Sequence, residues 1–169
     1  KFDLGTSWKW NTDKNNIAVN LDFGLTDAAS LQLSTSIADL NTNILTLQGA
    51  PLMTYLMTTP KLRGFNLSLV DNSLKDKLIR YGSQMQNMTT SQFRDFLTQS
   101  LNIASATIGL DQNLTNEFQV SVINFINDSN KISISINPIE PVSLNNLIPD
   151  IMTQDYSSLF GKLNIKIAN

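Results

Sequence analysis

The chain has 169 residues, a formal net charge of −2 and neither cysteine nor histidine. The absence of cysteine excludes disulfides, thiol nucleophiles and cysteine-based zinc sites, and the absence of histidine excludes Ser-His-Asp catalysis. An isoelectric point near 4.9 argues against a nucleic-acid-binding surface, which needs clustered lysine and arginine. The length fits one domain, and 41% hydrophobic residues are enough to build a core.

Six segments alternate apolar and polar residues, which is the pattern of a strand buried on one face. In chain order they run from Phe2 to Trp10, Ile17 to Phe23, Leu31 to Ile37, Phe65 to Leu69, Ile132 to Ile136 and Leu163 to Ile167. Strands of a doubly covered parallel sheet would be apolar on both faces. The sequence therefore predicts a mostly antiparallel sheet of about six strands with one wet face and one packed face.

Helical periodicity appears between these strands. A short helix is predicted from Pro51 to Met57, ending before Pro60 because the residue before a proline disfavours helical geometry. The next helix carries an apolar stripe with helical spacing, which predicts that it faces the core. The stripe consists of Leu74, Leu78, Tyr81 and Met85.

Two further helices follow, and a third lies near the end of the chain. Thr89 and Gln92 have the spacing of a capping box, which predicts the start of a helix at this point. Asn113 is predicted to cap another helix, and a short one starts at Ser143 and runs toward Leu147. We therefore predict a single α+β domain over residues 1–169, with three to five short helices covering one face of the sheet.

Aromatic residues on the first strand are the first candidate binding group. Trp8 and Trp10 share a face with Phe2 and Leu4, which predicts that they pack in the core. The alternative is a stacking platform for a sugar or a lipid. A groove between the sheet and the helices would add the apolar side of the fourth strand. The candidate ligand-binding residues are Phe65, Leu67, Leu69, Trp8 and Trp10.

No pattern predicts a catalytic residue, a metal site or a cofactor. Acidic and amide side chains from Asn11 to Asp22 approach the spacing of a calcium loop, but Asn16 stands where the loop needs glycine. Lys61 follows Thr58 at the spacing of a T-x-x-K motif, but Pro60 interrupts the helix that such a motif opens. The glycines form neither a dinucleotide-binding fingerprint nor a P-loop.

Several stretches resemble envelope proteins of bacteria. Leu67 to Leu74, leading to Tyr81-Gly82, is similar to a strand, acidic turn and helix step in proteobacterial envelope proteins. The opening Trp8 to Asn11 and the tail segments Ile132 to Pro138 and Leu163 to Asn169 are similar to uncharacterised alphaproteobacterial proteins. In outline the chain resembles AsmA-like and YdgA-like proteins. This resemblance implies a periplasmic location and a link to lipid handling, with no catalytic residue to carry over.

The preferred hypothesis is a non-enzymatic binding or scaffolding domain of the cell envelope, with protein or lipid as its partner. The chain begins at Lys1 and not at methionine, which predicts an excised or processed fragment of a longer exported protein. No apolar run reaches the roughly 20 residues of a membrane helix. One alternative is a carrier of lipid or another apolar ligand, and a second is a hydrolase that uses Asp/Glu or Ser/Thr with Lys. The sequence leaves the oligomeric state open.

Overall fold

The computed structural model describes residues 1–11, 15–40, 42–107 and 112–169. Its strands are β1 (Phe2–Asn11), β2 (Asn16–Leu25), β3 (Ala29–Ala38), β4 (Lys61–Asp71), β5 (Lys131–Ile136), β6 (Val142–Ser143) and β7 (Ile165–Ala168). Its helices are α1 (Gly49–Thr58), α2 (Leu74–Met85), α3 (Thr90–Thr107), α4 (Gln112–Asn127), α5 (Leu144–Thr153) and α6 (Tyr156–Leu163). A short 3-10 helix covers Thr42–Thr46. The predicted α+β class and all six predicted strands are confirmed.

The strands form one antiparallel sheet in the order β1-β2-β3-β4-β5-β7, with β6 paired to the start of β4. The register keeps the apolar side chains of neighbouring strands in phase, so that continuous apolar rows cross the sheet. One row consists of Trp8, Val19, Thr35, Phe65, Ile136 and Ile165. The next consists of Thr6, Leu21, Leu33, Leu67, Ile134 and Ile167. The sheet therefore has one apolar face along its whole width.

The helices form two packed groups. In the first group α2 packs on α3, α3 packs on α4, and α4 lies against β5 and β7. The Ser121 hydroxyl of α4 donates to the carbonyl oxygen of Ile167 at 3.2 Å, and the Asn169 side-chain amide donates to the carbonyl oxygen of Ser121 at 3.0 Å. In the second group α5 packs on α1, α6 and β6. Both groups therefore contact the part of the sheet formed by β4 to β7.

The ends of the helices test the predicted caps. The capping box is confirmed, because the backbone N–H of Gln92 donates to the Thr89 hydroxyl at 3.2 Å and that of Thr89 donates to the Gln92 side chain at 2.8 Å. The prediction for Asn113 is wrong, since α4 begins at Gln112 and Asn113 lies within it. The helix predicted from Ser143 toward Leu147 is present but continues through Pro149 to Thr153.

The predicted core stripe of α2 is wrong. Leu78, Tyr81 and Met85 are exposed, and the buried side chains are Ile79 and Ser83. The helix turns its small residues toward α3, where a Cβ at Gly82 would overlap the ring of Phe93. Close approach of two helices needs small side chains, so the packed face of α2 is not its most apolar face.

The helix α6 was not predicted, and the predicted sixth strand begins too early. Leu163 was assigned to that strand but ends α6, and β7 starts at Ile165. The carboxylate of Asp155 accepts the backbone N–H of Ser158 at 3.0 Å, which caps the helix. Asp155, an N-cap residue type immediately before the apolar Tyr156 and Leu159, was the available signal for this helix start.

Candidate functional site

The apolar side of β1, β2 and β3 has little cover, and we call it the open face. It consists of Phe2, Leu4, Thr6, Trp8, Trp10, Ile17, Val19, Leu21, Phe23, Leu25, Ala29, Leu31, Leu33, Thr35 and Ile37. No described helix packs extensively on these three strands. Trp8 is 71% exposed, Phe2 65% and Leu4 57%. Side chains that would normally be buried are therefore in contact with solvent from Phe2 to Trp8.

The total accessible surface agrees with an incomplete cover. It is 10755 Å², whereas a compact monomer of 18.8 kDa has about 8,300 Å² by the usual scaling of surface with mass. Exposed apolar patches on monomers are normally limited to roughly 300–600 Å² and often mark sites of interaction. The open face is therefore the strongest candidate for a functional surface in this chain.

The five predicted ligand-binding residues all lie on the apolar side of the sheet. Phe65, Leu67 and Leu69 are half-buried in β4, and Trp10 is half-buried at the end of β1. The prediction that Trp8 packs in the core is wrong, because β1 is the first strand of the sheet and has a neighbour on one side only. An edge position removes half of the neighbours that would cover such a side chain.

The sequence prediction omitted Phe2 and Leu4 from the binding residues. They extend the exposed surface of Trp8 along the same strand, and Leu25 of β2 adjoins them as the register partner of Phe2. Their alternation with polar residues was the signal that placed them on this face. The alternation gave no signal for their exposure, because it does not show which strand lies at the edge.

Among the residues that the structure describes, no strand pairs with the outer edge of β1. The carbonyl oxygen of Lys1 accepts the backbone N–H of Thr26 at 2.9 Å, and the register from this pair to Asn11 has no shift. In an antiparallel ladder the residues alternate between those that bond one neighbour and those that bond the other. The backbone groups of even-numbered residues therefore point away from β2, toward the open edge. These residues are Phe2, Leu4, Thr6, Trp8 and Trp10.

The polar face of β1 carries two charges of opposite sign. Asp3 and Lys9 stand near the two ends of the strand, and both are exposed. The Asp3 carboxylate lies 3.4 Å from the Lys1 ammonium, with both side chains largely in solvent. Such an exposed pair contributes little to stability. Both charges of the strand are therefore accessible to a partner.

Two cavities lie away from the open face. A cavity of about 590 Å³ is bordered by the 139–142 connector, α5 and α6, and one of about 450 Å³ lies between α4 and β7. None of the five predicted binding residues lines either cavity. Of the five, Phe65 borders a smaller cavity of about 230 Å³ on β2 to β4, together with Thr35 and Gly64.

A buried carboxylate lies beside the larger cavity. Asp150 accepts the Lys162 ammonium at 2.7 Å and the Ser158 hydroxyl at 3.3 Å, and its side chain is 11% exposed. Both donors are directed at the carboxylate, so the arrangement ties α6 to α5. Asp150 therefore acts as a structural connection between two helices.

Within the described ranges, no group of three or more acidic side chains is placed to hold a metal ion. Of the helices that the structure describes, none combines the length and apolar character needed to cross a membrane. Neither a curated protein nor a solved structure matches the chain. A family model described as "Uncharacterized protein" matches residues 22–169, which begin within β2 and leave β1 outside the match. Because this match covers most of the chain, the protein belongs to that family.

Proposed function

We propose that this chain is a non-enzymatic binding domain of the bacterial cell envelope that joins a larger assembly through the open face and the outer edge of β1. The observation that carries this proposal is the 71% exposure of Trp8 on the apolar side of β1. Aromatic side chains with this much accessible area are typical anchors of protein interfaces. The envelope location rests on the resemblance to AsmA-like and YdgA-like proteins.

Two features of β1 favour a polypeptide over a lipid as the partner. Its five outward-directed residues offer backbone N–H and C=O groups, which another strand can satisfy and an acyl chain cannot. The charges of Asp3 and Lys9 lie on the polar side of the same edge, where a protein partner can pair them. A strand added at this edge would use both features at once.

A carrier of apolar ligands is the second candidate function. It is favoured by the rows of apolar side chains that run across the sheet from Trp8 and from Thr6. An acyl chain laid along a row would meet only apolar groups and threonine. In this case the binding residues would be Trp8, Trp10, Phe65, Leu67 and Leu69.

Site-specific photocrosslinking in cells tests the proposal. A photoreactive phenylalanine analogue replaces Trp8 on the open face, and the control carries it in place of Gln32, an exposed residue on the polar face of β3. We expect a discrete protein adduct from position 8 and none from position 32. An adduct with lipid from position 8 would support the carrier instead, and equal labelling from both positions would contradict a face-specific binding surface.

A further inference from the structure

We infer that the partner at the outer edge of β1 is a second copy of this chain, paired strand against strand in antiparallel orientation. This inference rests on the proposed function, because it names the partner of the same edge. β1 spans ten residues and pairs with β2 without a register shift, and it contains no proline. Proteins commonly protect a long edge strand with prolines, bulges, charged side chains or a cover. β1 has neither a proline nor a bulge, and its two charges, Asp3 and Lys9, are of opposite sign.

The sequence of β1 is complementary to itself when Thr6 stands opposite Thr6 of the second copy. Asp3 then faces Lys9 of the second copy, and by symmetry Lys9 faces Asp3. Leu4 faces Trp8 on the apolar side. Opposite charges and apolar pairs placed directly across two strands stabilise the pairing.

Neighbouring registers lose this match. Side chains keep to their own faces only if the register changes by an even number of residues. In the register centred on Gly5, Lys9 faces Lys1 of the second copy. In the register centred on Ser7, Lys9 faces Gly5 of the second copy. The charges of β1 therefore select the register centred on Thr6.

The backbone geometry agrees with the same register. Phe2, Leu4, Thr6, Trp8 and Trp10 direct their backbone groups outward and would form the hydrogen-bonded pairs of the new ladder, about ten interchain bonds in all. Asp3 and Lys9 would then form a non-hydrogen-bonded pair. Side chains approach most closely in such pairs, with Cα atoms about 4.5 Å apart. The two charges would therefore meet at the shorter of the two cross-strand distances.

The symmetry of this pairing extends the open face. Antiparallel pairing about a two-fold axis perpendicular to the sheet puts both apolar faces on the same side. Trp8 and Leu4 of each copy then lie next to Leu4 and Trp8 of the other. The result is one continuous sheet whose apolar face is doubled in width and remains available to a further component of the assembly.

Sedimentation velocity of the 169-residue chain over a range of concentrations tests the inference. We expect a reversible dimer of twice 18.8 kDa. Asp3→Lys and Lys9→Asp each place like charges opposite one another, and we expect each to raise the dissociation constant by about tenfold or more. The double variant Asp3→Lys/Lys9→Asp restores opposite charges and should recover most of the affinity.

Thr6→Pro blocks the edge without touching the ladder to β2. The backbone N–H that it removes points outward, so the fold is retained while the new pairing is lost. We expect a monomer whose circular dichroism matches that of the parent chain. If this variant fails to fold, the charge-reversal series still decides the question, because those exposed side chains make no contact that the fold requires.

Cysteine crosslinking reads the register directly, since the chain has no cysteine of its own. Thr6→Cys would bring two sulfur atoms together across the two-fold axis, with Cα atoms about 5.5 Å apart, within disulfide range. Leu4→Cys is the matched control, because four residues of offset separate it from its own copy by about 13 Å along the strand. Under mild oxidation we expect a covalent dimer from Thr6→Cys only.

Several outcomes would overturn the inference. A monomer at all concentrations would do so, as would a dimer that is indifferent to Thr6→Pro or a double charge reversal that recovers no affinity. A monomeric chain that still gives a protein adduct from position 8 would reject self-pairing and leave the proposed function supported. Loss of both the dimer and the adduct would reject the two proposals together.

Discussion

The two halves of the apolar sheet face differ in what covers them. Both halves have the same alternation and are crossed by the same rows. Leu67 and Ile134 lie half-buried in the half that the helices contact, whereas the other half runs from the half-buried Leu33 of β3 to the largely exposed Leu4 of β1. The connections explain the difference. Only a few residues separate β1 from β2 and β2 from β3, while the chain between β4 and β5 contains three helices. Hairpins leave no chain from which a cover could be built.

Matched leucine truncations in the covered and open halves should give the largest difference in the free energy of unfolding. Leu114 of α4 is buried and Leu4 of β1 is exposed. We expect Leu114→Ala to lower the free energy of unfolding by about 2–4 kcal/mol, because it removes buried contacts and leaves a cavity. Leu4→Ala should cost less than about 1 kcal/mol in the monomer, since little of its surface leaves water on folding. Urea denaturation at dilute protein concentration measures both, and equal losses would contradict the division into two halves.

Matched glycine substitutions test how tightly the helices pack. A Cβ at Gly82 would overlap the ring of Phe93, which stacks on Phe96, whereas a Cβ at Gly161 would meet nothing within 4 Å. We expect Gly82→Ala to destabilise the protein by about 1–3 kcal/mol. Gly161→Ala should stabilise it by up to about 1 kcal/mol, because alanine loses less conformational entropy in a helix. Thermal unfolding that ranks the two variants in the reverse order would reject the close packing of α2 on α3.

A smaller effect distinguishes the two lysine ion pairs. Lys162 neutralises a carboxylate that is 11% exposed, while Lys61 pairs at 2.7 Å with the half-exposed Asp39. We expect Lys162→Met to lower the free energy of unfolding by about 1–2 kcal/mol, because it leaves a buried charge without its ion-pair partner. The half-exposed Lys162 side chain keeps this value below that of a fully buried pair. Lys61→Met should change stability by less than about 0.5 kcal/mol. Chemical denaturation measures the free energy of unfolding of both variants. Equal losses would contradict the interpretation that Asp150 connects α5 to α6.

The strands could be predicted from the sequence because each has one polar and one apolar face. Alternation depends on the local backbone alone, so residues such as Ile132 and Ile134 predict a strand from the local sequence. The antiparallel class followed from the same observation. The registers of the strand pairs could not be predicted from alternation, because they also depend on the turns and on the order of strands in the sheet.

The faces of the helices and the candidate site were harder to predict. In α2 the packed side carries Ile79, Gly82 and Ser83, and small residues give no hydrophobic signal even where they allow the closest contact. Trp8 lay on the predicted face, but its exposure depends on β1 being an edge strand, which is a property of the whole sheet. The sequence therefore predicts which residues share a surface and not whether that surface is covered.

The path of the chain through the sheet has a consequence for the order of folding. β1, β2 and β3 are consecutive and pair with their immediate neighbours, so their contacts need only short loops to close. β5 must wait for three helices before it pairs with β4, and β7 is followed by Asn169, whose side chain holds α4. Contacts between residues close in sequence form faster than those that close long loops. We therefore expect the nascent chain to present its three-stranded apolar sheet well before the helices assemble, which makes this meander the segment most in need of a chaperone during synthesis.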